Sequence, residues 1–234
     1  MYKRILLKLS GEVFAGSKGS GFDPAVVDRI AADVREVRDT GVQIGVVIGG
    51  GNIFRGGSAE SLDRTLADNI GMLATLINSL YFKACLEKIG VPSCVMSAVP
   101  FPKAAEYFTA EAARRLCDSG IVVIIAGGTG NPYFTTDSAA ALRCAEIKAD
   151  VLLKATKFNG VYDSDPAKNP SAVKFQSISH ADALAKNLRV MDATALALCM
   201  ENDIPIIVFK LLEPGSLRRC VEGQPVGTIV KKGV

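Results

Sequence analysis

The run Ile121–Ala126 passes without a polar residue into GGTGNPYFTTDS, Gly127–Ser138, and this junction constrains the fold more than any other dozen positions. A continuous β-branched run reads as a buried strand, and Thr136 or Asp137 then opens a helix predicted over Asp137–Ile147. The loop between them therefore sits at the carboxyl end of a strand and the amino end of a helix. Glycine lets backbone approach a ligand closely, and a helix N-terminus offers unpaired N–H groups and positive dipole, so such a loop suits a phosphate. Taken alone, the loop is explained equally well by glycines that turn the chain and an Asp137 that caps a helix.

The same grammar occurs three more times. Ile5–Leu9 encloses Lys8 and runs into Ser10–Gly11. Val42–Ile48 runs into Gly49–Gly50–Gly51–Asn52, followed by Arg55 and Gly56–Gly57. Val151–Ala155 encloses Lys154 and is followed by Thr156–Lys157 and Tyr162–Asp163–Ser164–Asp165–Pro166. In an open α/β sheet, ligands bind outside the carboxyl ends of the strands. Four strands thus deliver glycines, hydroxyls, cations and acids to one edge.

Further strands are predicted at Ser93–Met96, Ile206–Phe209 and Thr228–Lys231, with helices at Thr109–Ser119, His180–Asn187 and Asp192–Glu201. Asp23 caps another helix, with Pro24 at its first position and Gly41 past its end. A long helix, about Leu62–Ile89, carries Leu66, Ile70, Leu73, Ile77, Leu80 and Ala84 at three- and four-residue spacing, which reads as one buried stripe. Helices long enough to cross over between short apolar strands imply an α/β three-layer sandwich, a largely parallel central sheet with helices on both faces. No linker interrupts residues 1–234, so one domain is expected.

With 27 basic and 24 acidic residues the net charge is +3, too balanced to argue for nucleic acid. No apolar run reaches the roughly 18 residues that span a bilayer, and Met1–Leu9 is too short for a signal peptide. A soluble cytoplasmic protein without membrane or nucleic-acid partners is expected. Cys85, Cys94, Cys117, Cys144, Cys199 and Cys220 form no CxxC and have no histidine nearby, so they read as reduced core residues and no zinc site is expected.

Common nucleotide fingerprints are absent. Gly11–Lys18 approaches the Walker A pattern but reverses Ser17–Lys18, and Gly49-x-Gly51 is followed by Phe54 where a third glycine belongs. The one histidine, His180, follows Ser179 and reads as a surface or capping residue, which leaves no Ser-His-Asp chemistry. What remains suits phosphoryl transfer, a reaction that demands positioning and charge neutralisation. Lys8 and Arg55 are candidates to hold phosphates, and Asp137 and Asp165 to orient a lysine or a magnesium shell. Singly, Lys8 also reads as an edge-strand cation and Asp163–Asp165 as a turn before Pro166.

Lys8-Leu9-Ser10-Gly11, Gly49-Gly50-Gly51-Asn52 with Phe54-Arg55-Gly56, Gly71-Met72-Leu73-Ala74-Thr75, Thr129-Gly130-Asn131-Pro132 through Phe134-Thr135-Thr136-Asp137, Lys154-Ala155-Thr156-Lys157 with Gly160-Val161-Tyr162-Asp163, and Val190-Met191-Asp192 closely resemble the bacterial uridylate (UMP) kinases of the amino acid kinase superfamily. The resemblance runs through essentially the whole chain. The first two blocks are shared with acetylglutamate, aspartate and carbamate kinases, whereas the TGNP-to-TTD loop and the GMLAT helix are more specific.

The resemblance implies an amino acid kinase fold and transfer of the ATP γ-phosphoryl group to UMP, giving UDP and ADP with Mg²⁺. It implies catalytic roles for Lys8, Arg55 and Asp137. Lys8, Leu9, Ser10, Gly11, Gly51, Arg55, Thr156, Tyr162 and Asp165 would bind ATP. Gly50, Asp68, Thr129, Gly130, Asn131, Pro132, Tyr133, Phe134, Thr135 and Thr136 would bind UMP. Family members are typically homohexamers activated by GTP and inhibited by UTP, and Gly19, Ser20, Gly21, Phe22, Asp23 and Pro24 look like the segment associated with GTP activation. Asp68 lies about 200° round its helix from Leu66, away from the apolar stripe, where the plain alternative is a solvated acid. Phe158–Asn159 and Ser58–Arg64 depart from the family pattern. Two rivals stay open, a superfamily kinase for a carboxylate or carbamate and a nucleotide sensor without turnover.

Overall fold

The computed structural model describes residues 1–54, 62–188 and 190–233. Strands β1 (Arg4–Leu9), β2 (Gln43–Ile48), β3 (Ser93–Ser97), β4 (Glu106–Tyr107), β5 (Val122–Ala126), β6 (Val151–Thr156), β7 (Ser177–Ser179), β8 (Ile206–Lys210) and β9 (Thr228–Lys231) form one sheet. Its order is β4-β3-β5-β2-β1-β6-β8-β9-β7. Every named pairing is parallel except β8 with β9. After β1 the chain moves to one side through β2, β3 and β5, then crosses to the other side at β6. This reversal beside β1 brings the carboxyl ends of β1, β2, β5 and β6 together, where an open α/β sheet places its crevice.

The helices are α1 (Gly11–Phe14), α2 (Pro24–Arg38), α3 (Arg64–Lys88), α4 (Ala110–Asp118), α5 (Thr136–Glu146), α6 (His180–Ala185), α7 (Ala193–Glu201) and α8 (Ser216–Val221). Alternation along the strands feeds two cores. Ile5, Leu7 and Leu9 of β1 pack with α2, α3 and α8, and Leu6 packs with α4, α5, α6 and α7 on the opposite face. The three-layer α/β sandwich read from the sequence is what the chain adopts. Predicted element bounds agree within about two residues, and Asp23 caps α2 by accepting from the N–H of Ala25. Four short elements, α1, α8, β4 and β7, had no periodic signal to reveal them. Five of the six cysteines are buried, Cys94 is half-buried, and all six are free.

Two expectations are corrected. Most of the leucine and isoleucine stripe of α3 faces outward: Leu66, Leu73 and Ile77 are 49%, 46% and 48% exposed, whereas Ile70 and Leu80 are half-buried and Leu80 packs against the core. The buried face carries Ala67, Met72, Thr75, Asn78, Ser79, Phe82 and Leu86 instead. Small and hydroxyl-bearing residues let α3 approach the glycine loops closely; a Cβ on Gly50 would lie 2.8 Å from the Ala74 Cβ. His180 is neither surface nor cap. Ser179 caps α6, and His180 is buried with Nε2 3.0 Å from the Ile204 carbonyl oxygen.

Candidate active site

Lys8 and Lys154 are register partners on β1 and β6, so both side chains leave the same face of the sheet. The amino end of α5 lies above them. Thr135 caps this helix, its Oγ1 accepting from the N–H groups of Asp137 and Ser138 at 3.0 and 3.3 Å. Asp137 is therefore aimed down at the strands: Lys8 Nζ forms an ion pair with Oδ1 and Lys154 Nζ with Oδ2, each at 2.7 Å. Lys154 also donates to the Val190 carbonyl at 2.6 Å. Burial raises the Asp137 pKa, but the charges of Lys8 and Lys154 outweigh it and hold the carboxyl below its usual range. Burial, aided by the Lys8 charge, pulls Lys154 below the usual lysine value, with Asp137 opposing. Two cations around one carboxylate leave one net positive charge at the switch point, which suits a phosphate.

A cleft of about 140 Å³ adjoins this triad between α3 and the loop after β5. Gly50, Gly51, Asp68, Thr129, Asn131, Phe134, Thr135 and Thr136 line it. Asp68 accepts from the backbone N–H of Tyr133 at 2.8 Å and from Arg64 Nε at 2.9 Å. It is not a solvated acid: the outward orientation of the leucine stripe turns Asp68 inward. Gly127 has φ 76° and a Cβ there would meet the Val99 nitrogen at 2.8 Å, so the turn requires glycine. Gly130, Pro132 and Tyr133 belong to the same loop but do not line the cleft; Tyr133 is 64% exposed and joins it through its backbone.

On the β6 side a second cavity, about 420 Å³, is lined by Phe158, Gly160, Tyr162, Asp163, Asp165, Lys186 and Leu188. The turn read before Pro166 is present, with Asp165 Oδ1 accepting from the Ala167 N–H at 3.0 Å. Thr156 lies just outside, its Oγ1 donating to the Phe158 carbonyl at 2.7 Å. Leu9 is fully buried, and Gly11 packs so tightly that a Cβ would lie 2.4 Å from the Gly49 carbonyl oxygen. The 19–24 segment reaches the glycine loop through Gly21, whose N–H donates to the Asn52 carbonyl at 2.9 Å and whose carbonyl accepts from Asn52 Nδ2 at 2.8 Å. Phe22 stacks on Tyr81 with ring centroids 4.0 Å apart. Arg55 and residues 56–61 of the following loop lie outside the described residues.

Sequence reasoning noticed Lys154 and Asp192 without giving either a role in the site, and missed Arg143. Asp192 accepts from the hydroxyls of Thr135 and Ser138 and caps α7. The signal for Lys154 was its position, matching that of Lys8 within an equivalent strand.

This fold and site define a kinase of the α/β class, with strand-borne lysines at a topological switch point between two clefts. The model of the amino acid kinase family matches residues 3–210. A uridylate kinase of Brucella anthropi is 54% identical over 231 residues, covering 98% of this chain and 96% of its own. The structure of a UMP kinase from Bacillus anthracis superposes with a TM-score of 0.97 at 39% identity, covering 100% of this chain and 97% of that one. A UMP kinase from Ureaplasma parvum gives 0.93 at 38% identity, covering 99% and 100%. The chain belongs to the amino acid kinase family and, within it, to the uridylate kinases.

Proposed function

We propose that the chain, acting as one catalytic domain, transfers the γ-phosphoryl group of ATP to UMP, giving UDP and ADP. The observation that carries this reading is the Lys8–Asp137–Lys154 triad between the two clefts, on a chain similar end to end to uridylate kinases. In this reading UMP lies in the cleft walled by Asp68, Thr129, Asn131, Phe134, Thr135 and Thr136, with Gly130, Pro132 and Tyr133 shaping the loop behind it, and ATP reaches across Lys8–Gly11 and Gly51 toward Thr156, Tyr162 and Asp165. A phosphate monoester has a second pKa near 6, so at neutral pH the UMP phosphate is already a dianionic nucleophile and needs no general base. Lys8 and Lys154 would neutralise charge as the phosphoryl group passes between donor and acceptor, and Asp137 would hold both ammonium groups in place. Arg55 is assigned to the space between the two phosphates on the resemblance alone.

Among the described residues, no three histidine, cysteine, aspartate or glutamate side chains converge as metal ligands. The donor set fits a Mg²⁺ that accompanies ATP, held chiefly by phosphate oxygens and water, as this ion commonly is. Bound there, it would spread the charge of the β- and γ-phosphates.

The chain would assemble as a homohexamer, with the exposed Leu66, Leu73 and Ile77 stripe of α3 among its contacts. GTP would activate through Gly19–Pro24, a reading supported by the two hydrogen bonds between Gly21 and Asn52 of the glycine loop, one donated by each residue, and UTP would inhibit. Six free cysteines are in keeping with a cytoplasmic location, and no described helix is long and apolar enough to cross a membrane. The decisive test is a coupled assay with UMP, CMP, dUMP and aspartate as acceptors. Preferred turnover of UMP is expected; turnover of aspartate, or binding of both nucleotides without turnover, would overturn the proposal.

A further inference from the structure

Arg143 on α5 is 4% exposed, yet it is neither part of the triad nor in contact with a cleft by its own side chain. Its guanidinium lies 4.2 Å from the ring centroid of Phe108, and Nη1 donates to Glu146 at 2.6 Å. Nη2 donates to the carbonyl of Gly128 at 3.0 Å. Nε is buried with no partner among the described residues. A guanidinium serving only its own helix would be better satisfied at the surface, because a buried charge with an unused donor is costly. Among the described residues, its one hydrogen bond beyond its own helix goes to Gly128, a residue with φ 59° that lines the cleft beside Thr129.

The opposite side of the same turn is also held. The N–H of Gly127 donates to Thr75 Oγ1 of α3 at 2.9 Å. The two consecutive left-handed glycines are thus pinned between a buried hydroxyl on α3 and a buried cation on α5. Such backbone has many alternative conformations, since glycine populates positive and negative φ about equally. A charge-assisted bond to the peptide oxygen fixes the Gly128–Thr129 peptide plane, and with it the direction of the polar groups that follow into the cleft.

We infer that Arg143 is a positioning residue for the acceptor: through Gly128 it sets the loop that receives the nucleoside monophosphate. The inference rests on the assignment of this cleft to UMP. Its signature is selective. Loosening the loop weakens acceptor binding, while the donor side, built from β1, β6 and the 156–165 turn, is untouched.

The test measures steady-state constants for Arg143→Met, Arg143→Lys and Glu146→Gln, with Asp68→Asn in parallel. Arg143→Met is expected to raise the UMP KM about tenfold or more, the size of a lost charge-assisted hydrogen bond, with the ATP KM within twofold of wild type. Arg143→Lys, which keeps a donor within reach of Gly128 but not the fork, should fall between. Glu146→Gln, which removes the ion pair and leaves the Gly128 bond, should stay near wild type. Should Arg143→Met fail to fold, the Lys variant still decides, through a severalfold rise confined to UMP. Variants that lower Tm while leaving the UMP KM unchanged, or that raise both constants alike, would reduce Arg143 to a packing role and overturn the inference. If Asp68→Asn raises the UMP KM while the Arg143 variants do not, the inference fails alone. If both sets raise the ATP KM instead, the cleft assignment itself fails.

Discussion

Lys8 and Lys154 stand opposite each other in register on adjacent parallel strands, and both ammonium groups lie 2.7 Å from the carboxylate of Asp137. Two like charges side by side in a largely buried site would repel strongly, and Asp137 offsets them. The price is that the acid is committed: with both oxygens engaged and its pKa held low, Asp137 stays ionised at neutral pH and does not act as a proton acceptor there. Charge stabilisation is what this arrangement offers.

Lys8→Met should therefore remove most turnover while the protein stays folded. A cation on developing phosphoryl charge commonly contributes about 3–4 kcal/mol to lowering a barrier, or on the order of 10²–10³ in rate. Stability should change less than turnover, because Lys154 still neutralises Asp137. Single-turnover rates with saturating ATP and UMP, beside a thermal melt, check this; near-normal turnover would exclude the role.

How legible the site was depends on the kind of signal each residue leaves. Lys8, Asp137 and the loops around them were readable because strand ends and helix starts leave local marks: aliphatic runs, glycines and a helix-opening Thr136–Asp137 pair, although the cap itself is Thr135 and not Asp137. The α3 stripe was readable as a stripe but assigned to the wrong side. Both faces of that helix are apolar enough to be buried, and periodicity alone does not rank a leucine face above one built from Ala67, Thr75, Ser79 and Phe82. The inward face fits because it is small and polar where it meets Gly50 and Gly127. Arg143 and His180 could not be found from spacing at all. Their partners, the Gly128 and Ile204 carbonyls, are set by tertiary packing, and any residue supplies a carbonyl.

His180 should be dispensable for turnover and costly in acid. Burial lowers its pKa, only partly opposed by the Ile204 carbonyl and Asp203, so the folded state holds it neutral. An unfolded histidine titrates near 6.5; below that pH the unfolded chain binds a proton that the folded chain does not. Stability therefore rises with pH through this window and carries no penalty from His180 above it. His180→Gln should keep nearly full activity and an unchanged activity profile near neutrality, and should lose part of the fall in Tm between about pH 6.5 and 5. A large loss of turnover with the fold intact by circular dichroism would contradict the mechanism.

The outward stripe of α3 makes a separate prediction about assembly. Leu73→Lys combined with Ile77→Lys places two charges where the side chains are nearly half exposed, so the subunit should tolerate them. If this face joins subunits, burying two unpaired lysines would cost several kcal/mol per contact. Light scattering should then report a smaller particle than wild type at the same concentration. An unchanged mass would remove the stripe from the assembly.

Asp68 separates acceptor from donor. Its carboxylate already fixes the Tyr133 peptide and Arg64, and it lines the cleft, where a further oxygen lone pair can meet a ribose hydroxyl. A charge-assisted hydrogen bond contributes about 1.5–3 kcal/mol, so Asp68→Asn should weaken UMP binding roughly tenfold to a hundredfold. ATP binding should barely change, because the cleft that Asp68 lines and the cavity of Tyr162 and Asp165 share no lining residue. If the acid reaches the 2′-hydroxyl, wild type rejects dUMP partly because the deoxy sugar leaves a charge unpaired, and the amide would soften that penalty. The preference for UMP over dUMP should fall together with UMP affinity. Two titrations on each protein, one varying UMP at saturating ATP and one the reverse, measure both effects. A mutant whose ATP constant rises while its UMP constant holds would move α3 out of the acceptor site.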